Sequence, residues 1–92
     1  MSSKTLSGQI SRNIQFTKLL KAEGSFREFN FRKAVVEGKM IFHVDVTDDK
    51  GNRISFLLEK QNEVWKILSL QLPPWISKVE ESLHESIEGA LA

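Results

Sequence analysis

Hydrophobic and polar residues alternate most cleanly between Lys39 and Leu72. Met40, Phe42, Val44 and Val46 interleave with Ile41, His43, Asp45 and Thr47. That is the period-two pattern of a half-buried strand, whose neighbouring side chains point to opposite faces. Asp48-Asp49-Lys50-Gly51-Asn52 supplies turn chemistry, and Ile54, Phe56 and Leu58 resume the alternation. One face of this hairpin is therefore apolar (Met40, Phe42, Val44, Val46, Ile54, Phe56, Leu58). The other is mixed and wet, with Ile41, His43, Asp45, Thr47, Arg53, Ser55, Leu57 and Glu59.

The flanking segments extend the pattern. Phe26–Val36 (FREFNFRKAVV) reads as a strand with Phe29, Phe31, Lys33 and Val35 on one face and Glu28, Asn30 and Arg32 on the other. Glu37-Gly38-Lys39 makes a tight connection, and Gln61-Asn62-Glu63 makes a second, with Asn62 tolerant of left-handed geometry. Val64–Leu72 reads as a fourth strand that switches parity. Trp65 and Ile67 share a face, then Leu68, Leu70 and Leu72 take the other. A bulge near Ile67–Ser69 would restore a single face; burial on both sides is the alternative.

Pro73-Pro74 ends the strand and suits the first turn of a helix. Ser77-x-x-Glu80 matches a capping box, and Ile76, Val79, Leu83, Ile87 and Leu91 form one helical stripe over residues 74–91. The outer face carries Lys78, Glu80, Glu81, Glu85 and Glu88. This helix is expected to lie across the apolar sheet face. Residues 9–22 fit a short helix capped by Ser7 or Ser11, or a strand through Ile14, Phe16 and Leu20; the balance tips slightly to helix. Ala22-Glu23-Gly24-Ser25 is a turn in either case, and residues 1–8 are expected to fray. The predicted fold is α+β and a single domain over residues 1–92. A curved four-stranded antiparallel sheet spans residues 26–72, the C-terminal helix packs on one face, and a short N-terminal helix or edge strand is added.

The 92 residues suffice for one small core, and 40% hydrophobic with 27% charged residues is an ordinary globular composition. The absence of cysteine excludes disulfides, thiolate nucleophiles and zinc–thiolate sites. No apolar run approaches a membrane span or a signal-peptide core, so a cytoplasmic location is the default expectation. The net charge of +1 hides an asymmetry, because basic residues dominate residues 1–40 and acidic ones residues 41–92. That is a mild pointer to a polar surface or a self-complementary contact.

Candidate chemistry is sparse. His43 and Asp45 are neighbours on one strand face, half of a catalytic device. Thr47 and Ser55 lie near, but nothing activates them as nucleophiles. Glu81-x-x-His84 has di-iron spacing, yet such sites need two copies of the motif on facing helices. Asp45, Asp48, Asp49 and Asn52 lack calcium-loop spacing. No metal, cofactor or enzymatic activity is expected. Phe26–Lys33 is the most suggestive stretch, since its aromatics interleave with cations. Phe26, Arg27, Arg32 and Lys33 form a candidate single-stranded nucleic-acid platform, with rings to stack bases and cations to track phosphates.

The blocks REFNFRK, FHVDVTDDKGNRI, VWKI and LPPWI, the last followed by a helix, resemble a group of small uncharacterised Bacteroidetes proteins across Phe26–Glu88; the resemblance implies no activity. Four antiparallel strands followed by one helix is also similar in topology to the repeat of the PUR family of single-strand nucleic-acid binders, an analogy of fold alone. The expected function is a small non-enzymatic interaction module that self-associates or binds another protein. Ile41, Leu57 and Trp75 are its candidate exposed apolar residues, and PUR-like nucleic-acid binding is the alternative.

Overall fold

The computed structural model describes residues 13–69 and 71–92. Five strands, β1 (Gln15–Ala22), β2 (Ser25–Val36), β3 (Lys39–Thr47), β4 (Arg53–Gln61) and β5 (Val64–Ile67), form one antiparallel sheet in sequence order. A single helical turn, α1 (Pro74–Ser77), and the longer α2 (Glu80–Leu91) follow. No helix of the described residues is long and apolar enough to cross a membrane.

The hairpins form because their turn residues accept left-handed backbone. Glu23-Gly24, Glu37-Gly38 and Asn62-Glu63 all have positive φ. Paired positive φ in a two-residue loop is the type I′ geometry, whose twist matches that of the strands. The longer β3–β4 loop is held by Asp48, whose carboxylate accepts from the backbone N–H groups of Lys50 and Asn52. These bonds, led by that from Asn52, hold the Asp48 carboxyl below its ordinary range.

The inner face carries the core. Phe29, Phe31, Phe42, Val44, Val46, Phe56, Leu58 and Trp65 are buried under Ile76, Val79, Leu83 and Ile87. Phe16 stacks on Phe31 with centroids 4.4 Å apart and meets Phe42 edge-on, and Phe42 meets Trp65 edge-on at 5.2 Å. A flat sheet of five strands would be about 19 Å from edge to edge, whereas a helix is about 10 Å across. Since α2 packs on β5 and also reaches β1, the sheet must curl around it like a half-barrel.

Several expectations are corrected. The sheet has five strands, because residues 15–22 form an edge strand and not a helix; Phe16 is drawn into the aromatic row by Phe31. The Ser7 and Ser11 caps and the fraying of residues 1–8 lie outside the described residues. The fourth predicted strand ends at Ile67, so no bulge is needed. Trp65 and Ile67 face inward, Leu68 is exposed though its N–H still bonds the Leu57 carbonyl, and Leu70 lies outside the described residues. The capping box does not form. Lys78 and Val79 make a turn that splits the helix, and no side chain caps either piece. Val35 is 61% exposed and Met40 39%, because their facing pair lies next to the Glu37–Gly38 turn, beyond the helix. Ile41, expected on the exposed face, is 7% exposed. Ala34 and Glu59 flank it, and Lys39 reaches over the row to Glu59 at 3.2 Å.

Candidate interaction surface

The two edges of the sheet are finished differently. On β5, the N–H groups that point away from β4 are taken by side chains of α2. His84 Nδ1 accepts from the Trp65 backbone at 3.0 Å, and Glu80 accepts from that of Ile67 at 2.8 Å. Glu88 accepts from the Trp65 indole at 2.8 Å and pairs with Lys60 at 3.2 Å. The indole bond, then Lys60, holds the Glu88 carboxyl below its ordinary range. Glu80, His84 and Glu88 follow each other at helical i, i+4 spacing and lie along this edge. A cleft of about 420 Å³ opens here between Val64–Lys66 and Glu80, Glu81 and His84. Glu80 and His84 line it with groups already bonded to the strand.

On β1, register and bonding define an edge that is free among the described residues. Ile14 accepts from Lys33 N–H, and the pairing Phe16↔Phe31, Lys18↔Phe29, Leu20↔Arg27 and Ala22↔Ser25 continues that ladder. Antiparallel strands alternate bonded and non-bonded pairs. The N–H and C=O groups of Gln15, Thr17, Leu19 and Lys21 therefore point away from β2, and no strand among the described residues meets them. Beside this edge, on the outer sheet face, Leu19 is 63% and Phe26 70% exposed. Leu19 faces Glu28 and Phe26 faces Lys21, so the two apolar side chains are diagonal neighbours.

The outer face beyond them is polar and cross-linked. Thr17 donates to Asn30 at 2.7 Å and Asn30 donates to Asp45 at 3.1 Å, a row running over β1, β2 and β3. Asp45 is thus engaged by Asn30, while His43 is exposed between Arg32 and Leu57. No group of three or more metal-ligating side chains occurs among the described residues.

The four proposed nucleic-acid residues are dispersed. Phe26 and Arg32 are exposed on the outer face, separated by six positions along β2. Arg27 and Lys33 have inward parity. Arg27 is buried: it donates to Asp49 at 2.8 Å and to the Ala22 carbonyl at 3.1 Å, and lies 4.7 Å from the Trp75 ring centroid. Its hydrogen bond, then its charge, holds the Asp49 carboxyl low. Lys33 is half-buried. Trp75, expected on the surface, is half-buried under Arg27, and Leu57 is half-buried too. Sequence reasoning missed Leu19, because an isolated strand pattern does not reveal which edge is left open. It also placed Glu80 and Glu88 on a solvated face, although their spacing with His84 marks a polar stripe beside the apolar one.

No model of a known protein family matches the chain, and neither does any curated protein or solved structure.

Proposed function

We propose that this chain is a non-enzymatic, cytoplasmic interaction module that docks a polypeptide strand along β1. The observation that carries the reading is the contrast between the sheet's edges. The short β5 edge is closed by Glu80 and His84, whereas β1 presents backbone groups that no strand among the described residues pairs, beside Leu19 and Phe26. Edge addition draws affinity from main-chain hydrogen bonds and specificity from alternate side chains. Exposed apolar residues beside a free edge supply the second element.

The test separates strand addition from generic stickiness. A photo-reactive residue at Thr17 should capture a polypeptide in cells, whether a copy of this chain or another protein. Leu19→Pro removes one outward N–H without touching the β1–β2 ladder, and proline is tolerated on an edge. Capture should be lost in Leu19→Pro while the urea melt stays unchanged. No capture, or capture indifferent to proline, refutes the reading.

A second reading is single-stranded nucleic-acid binding, favoured by the exposed Phe26 ring with Lys21 directly across from it. Phe26 would stack a base, and Lys21 and Arg32 would track phosphates. Arg27 is committed to Asp49, Lys33 lies on the other face, and β1 departs from the four-strand topology of PUR repeats. Phe26→Ala and Arg32→Ala should each weaken oligonucleotide binding, which should fall steeply with salt. No binding at about 50 mM salt eliminates this reading.

A further inference from the structure

We infer that the strand accepted by β1 is the β1 of a second copy of this chain, paired antiparallel with Leu19 at the two-fold axis. The inference rests on the strand-docking reading above and names its partner.

The charges and apolar residues of β1 select the register. Two registers overlap nearly all of Gln15–Ala22 and keep the outward-pointing residues bonded to one another, one centred on Lys18 and one on Leu19. Centring on Lys18 sets two lysines directly opposite each other, which is destabilising. Centring on Leu19 sets Lys18 against Leu20 of the second copy and Lys21 against Thr17, so no like charges stand directly opposite each other and the two Lys18 side chains are only diagonal. It also sets Leu19 against Leu19. Because Phe26 is diagonal to Leu19 in each copy, the outer face then carries one band, Phe26–Leu19–Leu19–Phe26, across the axis. Each Leu19 is then flanked by Phe26 of its own chain on one side and by Leu19 of the second copy on the other.

Lysines on an edge strand commonly deter pairing. Here their positions penalise the competing register more, with two lysines directly opposite where the Leu19 register leaves them diagonal, so they act as a selector. A closed two-fold contact also consumes both free edges and does not propagate into fibres. One strand pair with Leu19 against Leu19 makes a small interface, below about 1,200 Å² in total, which is the range of transient complexes. The dimer should therefore dissociate on dilution.

The chain has no cysteine, so single-cysteine variants report the register. Hydrogen-bonded antiparallel partners are about 5.5 Å apart at Cα, within disulfide reach. In the full chain, Leu19→Cys should form a disulfide-linked dimer under mild oxidation. Lys18→Cys and Leu20→Cys should not, because in this register each faces a different residue and its own counterpart lies beyond about 7 Å. Sedimentation equilibrium should show monomer passing to dimer between about 1 μM and 1 mM. The Thr17, Leu19 and Lys21 amides should gain exchange protection over the same range. Leu19→Lys should remain a folded monomer, with an unchanged urea melt at low concentration.

Cross-linking at Lys18 in place of Leu19 overturns the register. A strict monomer throughout overturns the inference. If that monomer's β1 amides are still protected by an added acidic extended peptide, strand docking stands with a different partner. If nothing protects them, both fall. Protection in a monomer with nothing added would show that the edge is occupied within the chain, and that also overturns the inference.

Discussion

The closure of β5 by α2 can be tested bond by bond. Glu80→Ala strands the Ile67 N–H and His84→Ala strands that of Trp65, and both bonds are part-buried. A hydrogen bond to a charged acceptor contributes about 1.5–3 kcal/mol and a neutral one about 1 kcal/mol. Water reaches both sites in part, so the double variant should lose about 2–3 kcal/mol. That is a large share of the roughly 5–10 kcal/mol expected for a domain of this size. Two side effects need subtraction. Alanine improves helix propensity by a few tenths of a kcal/mol, and removing an acidic residue from the first turn forfeits about 0.3–1 kcal/mol of dipole interaction. Glu81→Ala carries both effects but has no bond to β5, which makes it the control. Urea melts of the two single variants, the double and the control give the energies, and hydrogen exchange read by NMR gives the location. The Trp65 and Ile67 amides should lose protection selectively. If Glu80→Ala is no worse than Glu81→Ala, and the Ile67 amide stays protected, the side-chain closure of this edge is refuted.

Two further outcomes follow from the packing and charges. Leu83 is fully buried at the centre of the helical stripe, so Leu83→Ala should cost about 2–5 kcal/mol in a chemical melt, and a loss under about 1 kcal/mol would contradict docking of α2 on the sheet. Asp48, Asp49, Glu59 and Glu88 all have carboxyls held below their ordinary range, by Asn52, Arg27, Lys39 and Trp65 respectively. A depressed folded-state value stabilises above the unfolded carboxylate range near about 4, and the benefit is lost as pH falls through the lower folded values. The urea midpoint should therefore drop on acidification below about pH 4, less so in Glu88→Gln, and a flat profile would refute the assignment.

The parts of the fold written in short-range pattern were legible before any coordinates. The alternation around Phe42, Val44, Phe56 and Leu58, the turns at Gly24, Gly38 and Asn62, and the Ile76–Leu91 stripe all survive in the structure. What stayed hidden depends on partners distant in sequence. Lys18-Leu19-Leu20-Lys21 has no clean period of its own, and it becomes a strand because β2 offers a ladder and Phe31 a stacking surface. Arg27 shares the parity of Phe29 and Phe31, but its charge argued for the surface; Asp49, brought in by a loop, and Trp75, from beyond the sheet, make its burial tolerable. The β1 edge is a property of strand order, which no local window contains.

The order of the elements also dictates an order of exposure during synthesis. Every strand pairs with its neighbour in sequence, and hairpins close in about 1–10 μs. The sheet can therefore assemble as it leaves the ribosome, with Phe16, Phe31, Phe42 and Trp65 side by side. The residues that cover this aromatic surface, Ile76 to Ile87, emerge last among the described elements, at about 5–20 residues per second. Until they emerge, the nascent chain holds an uncovered concave face. Over that interval the β5 edge, later closed by Glu80 and His84, stands as open as β1. Shielding of this transient surface, by a chaperone or by the ribosome itself, is the demand this topology places on the cell.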